Sequence, residues 1–244
     1  MLISDSHEFV FIHIGKTGGT SIERTLCEHL DLDFEVTKKD AHGRWWKHIW
    51  AKGMRRRIGP EAWNSYFTFA FVRNPYDMVL SLYSMYTQYP EYTDLESHPD
   101  LYHPWNQYDD FEHFIISMGR QEYDSDSNWR RQLTKLGAKS QHQVWESLRN
   151  LQTSYLTDSW KGMDGPGEIL VKFVGRFENL YADFHRVCDH IGVPRLKLSS
   201  VGGTHHAPFD EIYTPSMAHI VRGHFDIDIR RFDYAPPSNV RQFL

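Results

Sequence analysis

Apolar residues along this chain fall into short continuous runs and longer four-residue periodicities. Phe9 to Ile14 (FVFIHI) is a compact run rich in β-formers and predicts a buried strand. Gly15 to Gly19 is a glycine-rich turn. From Thr20 the pattern becomes helical, with Ile22, Leu26 and Leu30 recurring every four residues. Ala41 to Ile58 is basic, opens with two tryptophans and predicts a helix. Tyr66 to Val72 (YFTFAFV) predicts a second strand. Asn74-Pro75 follows the Arg that ends it; Asn is a good cap and Pro suits the first helical position, so a helix starts there, with Met78, Leu82 and Met85 along one side.

Thr87 to Asn128 is the least regular stretch. It contains one expected helix, Asp110 to Met118, with Phe111, Phe114, Ile115 and Met118 inward. Long irregular insertions in compact domains often carry function, and a surface excursion without function weighs evenly against that. Ile169 to Val174 predicts a third strand, and Glu178 to Ile191 an amphipathic helix stopped by Gly192 and Pro194. Arg195 to Pro208 is a loop, Thr214-Pro215 opens a last helix, and the tail after Tyr234 is polar and Pro-rich. The βα alternation predicts an α/β fold.

A length of 244 residues suits one large α/β domain, 1–244, with an irregular region around 87–150. The composition, 40% hydrophobic and 24% charged, is that of a globular protein. A formal net charge of −5 gives no electrostatic reason to expect nucleic-acid binding, so any anion site must be local. Cys27 and Cys188 are too few for a disulfide framework or a four-thiolate metal site and read as small buried hydrophobes. His205-His206 and His219 with His224 lack the companions of a metal site, so no metal is expected. No apolar run approaches the ~18 residues of a membrane span, and Met1 to Glu8 lacks the apolar stretch of a signal peptide. These features predict a cytoplasmic protein; oligomeric state is not legible.

Gly15-Lys16-Thr17-Gly18-Gly19-Thr20-Ser21 is the most informative segment. Glycines let backbone N–H groups converge on an anion, and the following helix presents its positive dipole end. Lys16 adds a mobile charge, and Thr17, Thr20 and Ser21 add hydroxyls. A loop that is glycine-rich for turn geometry alone is the bland alternative, and the lysine, the hydroxyls and the strand-loop-helix order weigh against it. A nucleoside-triphosphate loop places its lysine after the glycines; here Lys16 precedes Gly18 and Gly19. Arg73, at the C-terminal end of the second strand, stands where open α/β sheets bind ligands, and guanidinium suits phosphate. A sheet-capping or Asp-paired arginine is its common structural alternative.

Ile12 to Ile22 (IHIGKTGGTSI) resembles the 5′-phosphosulfate loop of sulfotransferases that use 3′-phosphoadenosine-5′-phosphosulfate (PAPS), in the branch of carbohydrate O-sulfotransferases and their bacterial relatives. Phe69 to Tyr83 (FAFVRNPYDMVLSLY) resembles the same family's 3′-phosphate segment. Gln152 to Leu156 (QTSYL), Gly175 to Leu180 (GRFENL) and Asp226 to Tyr234 (DIDIRRFDY) extend the likeness. Two positions depart from it: Gly15 where the branch usually has Pro, and Met78 where it often has Arg or Lys.

The resemblance implies a P-loop-like three-layer α/β domain, a mostly parallel central sheet flanked by helices. It implies PAPS as cofactor, adenosine-3′,5′-bisphosphate as product, and a hydroxyl-bearing acceptor, a carbohydrate or small molecule. Lys16, Thr17, Gly18, Gly19, Thr20 and Ser21 would hold the 5′ end, and Arg73 and Ser81 the 3′-phosphate. Lys16 would also stabilise the leaving group. Lys47-His48 and the Gly59 to Trp63 segment resemble the region carrying the base, which makes His48 the first candidate and His42 the second. Ser199, Ser200 and Thr204 fall in a loop that closes over the nucleotide in relatives. Trp105, Tyr108, Trp129 and Trp145 are candidates for stacking on an acceptor, or for core; Arg55, Arg56 and Arg57 for a basic cleft, or a solvated helix face. Two other readings stand beside this one: a P-loop nucleotide kinase or NTPase, and a non-catalytic nucleotide-binding protein on the same fold.

Overall fold

The structure, a computed structural model, describes residues 1–32, 48–88, 110–120, 151–159, 167–199, 203 and 205–244. In chain order the described elements are strands β1 (Leu2–Ser4) and β2 (Phe9–Ile12), and helices α1 (Gly19–Leu30), α2 (Ala51–Ile58) and α3 (Pro60–Ser65). Strand β3 (Phe67–Val72), α4 (Pro75–Gln88), α5 (Phe111–Arg120) and the short α6 (Gln152–Leu156) follow. Strand β4 (Phe173–Arg176), a 3₁₀ turn (Phe177–Asn179), α7 (Leu180–Ile191), α8 (Phe209–Ile212) and α9 (Pro215–Arg231) complete the set. Two compact units result, one of residues 1–73 and 150–203, the other of 74–149 and 204–244.

The first unit is built on a four-stranded sheet in the order β1-β2-β3-β4. Strands β2, β3 and β4 are parallel and β1 is antiparallel to β2. This is the mostly parallel sheet that the resemblance implies, within the α/β fold that the alternation predicts. Residues on both faces of β2 and β3 are fully buried, which explains why their sequences are continuous apolar runs. On one face Phe9, Phe11, Phe69 and Phe71 pack with Ile22, Leu26 and Cys27 of α1 and with Phe184, Val187, Cys188 and Ile191 of α7. The rings form a ladder across the strands, Phe11 to Phe69 at 5.0 Å and Phe71 to Phe173 at 6.5 Å. Gly175 of β4 lies under Phe71; a Cβ there would sit 2.5 Å from the ring. Both cysteines are core residues, as their apolar settings predict.

Three boundaries differ from the sequence reading. The run Ile169 to Val174 is divided: Ile169 bridges antiparallel to Thr157 and the Leu170 N–H donates to the Leu156 carbonyl, so β4 begins at Phe173. Within the expected helix over Ala41 to Ile58, His48 to Trp50 are not helical. Trp50 is extended and its ring meets Tyr155 edge-on, while His48 turns toward His13. Residues 41–47 lie outside the described residues. Leu2–Ser4, for which no strand was expected, pairs with β2 through Leu2↔Phe11.

The second unit is helical. Asn74 caps α4 by accepting from the Tyr76 N–H at 3.1 Å, and its amide donates to the Ala235 carbonyl at 2.9 Å. Phe111, Phe114, Ile115 and Met118 of α5 are buried, as their spacing predicts. Tyr213 is buried with its hydroxyl donating to the Tyr76 carbonyl at 2.8 Å. Thr214 and Pro215 open α9 as expected, the threonine oxygen accepting from the Met217 N–H.

Candidate active site

The loop after β2 is shaped by two left-handed residues, Lys16 (φ 64) and Gly18 (φ 81). Alternation of this kind turns successive N–H groups toward one side, the geometry of an anion nest. Thr17 is fully buried between them, and its hydroxyl donates to the Ile14 carbonyl at 2.9 Å, closing the loop on the strand. Gly18 precedes α1 and Gly19 begins it, so the loop delivers the chain into the helix with no side-chain cap. The first turn, Gly19, Thr20 and Ser21, carries N–H groups that an intrahelical ladder cannot satisfy, at the positive end of the dipole. An anion is the natural partner of such a turn.

Arg73 is the residue after β3 and is buried. Its backbone N–H donates to Gln152 Oε1 at 2.8 Å, and Gln152 Nε2 donates back to the Arg73 carbonyl at 2.8 Å. Its Nη1 donates to the Lys16 carbonyl at 3.0 Å, and its guanidinium carbon lies 3.9 Å from the centre of the Phe177 ring. Lys16 follows β2, Arg73 follows β3 and Phe177 follows β4. The three meet outside the carboxyl ends of neighbouring parallel strands, where open α/β sheets form ligand crevices.

His48 is exposed beside the same loop, its Cε1 being the nearest atom, at 3.9 Å, to a Cβ built on Gly15. Its Nδ1 lies 3.0 Å from the His13 carbonyl oxygen. A carbonyl only accepts, so Nδ1 carries the proton and Nε2 is the nitrogen with the lone pair in the neutral ring. The His13 ring meets His48 edge-on at 4.9 Å, stacks on Phe11 at 5.8 Å, and places Nδ1 3.0 Å from Glu23 Oε2. The other Glu23 oxygen pairs with the Met1 amine. Burial pushes the Glu23 carboxyl up, but the charges and hydrogen bonds of His13 and the Met1 amine together outweigh it and hold it at about 2. Gly19 is the fourth neighbour of this ring: a Cβ on it would lie 2.4 Å from His13 Cδ2.

The first unit therefore brings together Lys16, Thr17, Gly18, Gly19, Thr20, Ser21, Arg73 and His48. Ser81 lies in the second unit, buried on α4. Ser199 is held on the flank of α1, its N–H donating to Thr25 Oγ1 at 2.9 Å and its hydroxyl to Glu28 at 3.3 Å. Thr25 is about 9 Å down the helix axis from Gly19. His42, Ser200, Thr204, Trp105, Tyr108, Trp129, Trp145 and most of 87–150 lie outside the described residues. Arg55, Arg56 and Arg57 are exposed on α2.

Sequence reasoning missed His13 and Glu23 as supports of the site. The available signal was a charged residue beside Ile22 on the buried face of α1, and a histidine within an apolar run. Gln152 stood out only through the resemblance. Among the described residues no group of three or more His, Cys, Asp or Glu is placed to hold a metal ion, and no helix is long and apolar enough to cross a membrane.

Neither the curated proteins nor the solved structures supply a matching relative. The sequence profile described as Sulfotransferase family matches residues 1–235, nearly the whole chain and every element of the loop–Arg73 crevice. The chain belongs to the sulfotransferase family, and the activity that goes with it is transfer of a sulfuryl group to a hydroxyl-bearing acceptor.

Proposed function

We propose that this protein takes the sulfuryl group from PAPS and passes it to a hydroxyl of a carbohydrate or small molecule. The observation that carries the reading is the joining of two cationic anchors at one crevice: the Arg73 guanidinium is hydrogen-bonded to the phosphate loop itself, at the Lys16 carbonyl. A nucleotide with phosphates at both ends calls for two such anchors, and a nucleoside triphosphate does not. The left-handed loop, the helix N-terminus and the half-buried Lys16 fit a 5′-phosphosulfate. The buried, stacked arginine fits a 3′-phosphate. Ser81 as a second 3′-phosphate ligand rests on the resemblance alone. So does the assignment of 87–150 to acceptor binding within one catalytic domain.

PAPS supplies an activated sulfuryl group on its 5′-phosphate. In this reading Lys16, the loop N–H groups and the first turn of α1 hold that phosphate and stabilise the charge it gains as the old S–O bond breaks. His48 Nε2 takes the proton of the acceptor hydroxyl as the new O–S bond forms, and the hydrogen bond from Nδ1 to the His13 carbonyl keeps the ring in the tautomer that can do so. The remaining contribution is alignment of the reacting atoms, as in phosphoryl transfer.

Calorimetric titration with adenosine-3′,5′-bisphosphate and with ATP–Mg²⁺, on wild type and Arg73→Ala, tests the donor class. Tight bisphosphate binding lost in Arg73→Ala, with little ATP binding, is expected. Tight ATP binding indifferent to a 3′-phosphate would overturn the reading in favour of a nucleotide kinase or NTPase.

A further inference from the structure

Arg73 lies one residue past β3, where the strand ladder stops. The Gln152 side chain takes over there, accepting from the Arg73 N–H and donating to its carbonyl, each at 2.8 Å. One amide thereby grips the peptide planes on both sides of the Arg73 Cα and fixes the direction in which its side chain leaves the backbone. Both residues are buried, so neither bond competes with solvent. Farther out, the half-buried Phe177 ring supports the guanidinium face at 3.9 Å, and the Lys16 carbonyl receives one edge. The arginine is held at its backbone, its plane and its edge. A surface arginine loses considerable rotamer freedom when it grips an anion; one already ordered loses little.

We propose that Gln152 and Phe177 are positioning residues that set the preference of this protein for nucleotides bearing a 3′-phosphate. The inference rests on the reading of Arg73 as the 3′-phosphate ligand. Gln152 acts through the arginine backbone and Phe177 through the guanidinium face; neither needs to touch the nucleotide. A merely structural role would weaken all nucleotides alike. Positioning of Arg73 weakens the share of affinity that the 3′-phosphate adds and spares the rest.

The test is calorimetry with two probes, adenosine-5′-monophosphate and adenosine-3′,5′-bisphosphate, on wild type, Arg73→Ala, Phe177→Leu, Phe177→Tyr and Gln152→Met. The readout is the ratio of the two dissociation constants. Phe177→Leu and Gln152→Met are expected to lower the bisphosphate preference roughly three- to tenfold with monophosphate affinity unchanged, and Phe177→Tyr to retain it. Gln152→Met leaves two buried backbone groups without their partner; if it does not fold, Phe177→Leu carries the test. A folded Phe177→Leu with the wild-type ratio, or with both nucleotides weakened equally, overturns the inference. If Arg73→Ala keeps the preference, the assignment of Arg73 is wrong and the inference falls with it. If Arg73→Ala loses the preference and Phe177→Leu keeps it, the assignment stands and only the inference falls.

Discussion

Gly19→Ala is the smallest change that should disturb this site. The added methyl carbon would lie 2.4 Å from His13 Cδ2 and 2.5 Å from Nε2. Ordinary carbon contacts begin near 3.4 Å, so the ring or the loop must retreat by about 1 Å. The ring has little freedom to do so, because Glu23 holds Nδ1 at 3.0 Å and Phe11 stacks on it at 5.8 Å. Overpacking of this kind costs about 1–3 kcal/mol. Replacing Gly by Ala in a helix recovers up to about 1 kcal/mol. The net loss therefore lies between about 0 and 3 kcal/mol, and the middle of that range, about 1–2 kcal/mol, is expected in equilibrium urea unfolding. Gly15→Ala is the internal control. Its φ is not left-handed, and the nearest atom to its methyl is His48 Cε1 at 3.9 Å, so it should stay within about 0.5 kcal/mol of wild type. The double variant His13→Ala, Gly19→Ala removes the obstacle, and the cost of Gly19→Ala should vanish in that background. A Gly19→Ala protein as stable as wild type, or one equally destabilised with and without the His13 ring, would refute the reasoning.

Three further outcomes are expected. The Glu23 carboxyl is held at about 2 against its ordinary 4.5, so its pairing adds about 3 kcal/mol that is fully present above pH 4.5 and is lost as pH falls toward 2. Unfolding of Glu23→Gln should be flatter than wild type across that window, and identical pH profiles would contradict the pairing. Long-range ¹H–¹⁵N NMR of neutral His48 should show the proton on Nδ1; a proton on Nε2 would remove the hydrogen bond to the His13 carbonyl and with it the orientation of the base. Tyr213→Phe deletes a buried hydroxyl that donates to the Tyr76 carbonyl and leaves that carbonyl with one donor fewer, which should lower stability by about 1–2 kcal/mol in thermal melts.

The parts of the fold that were legible are those whose burial is continuous. β2 and β3 are covered on both faces, so each is an unbroken apolar run that periodicity cannot mistake. α4 and α9 carry their start signals in Asn74-Pro75 and Thr214-Pro215, and the caps form where those residues stand. β1 was hidden because three residues are too few for any pattern, and its pairing depends on the distant Phe11. The Ile169 to Val174 run misled because it is apolar for two reasons, Ile169 at its start bridging Thr157 and Phe173 and Val174 at its end joining the sheet. Composition records that a segment is buried and is silent on which neighbour buries it.

The site divides along the same line. Its loop was legible because local backbone geometry and local chemistry coincide there: Gly18 is needed for its left-handed φ of 81, and Gly19 for a ring that leaves no room for a Cβ. Arg73 was legible because the end of a strand is a position that sequence can locate. What joins them was not. Gln152 reaches Arg73 across 79 residues of chain, and His48 reaches His13 across 35. No spacing rule links such pairs, because their separation is set by the topology that brings β2, β3 and α6 together. The positions most informative about chemistry are therefore local, while those proposed to make it selective are long-range. A glutamine whose amide grips the main chain of Arg73 is the extreme case: the effect proposed for it on nucleotide choice passes through the geometry of another residue, and it leaves no charge, period or spacing by which to find it.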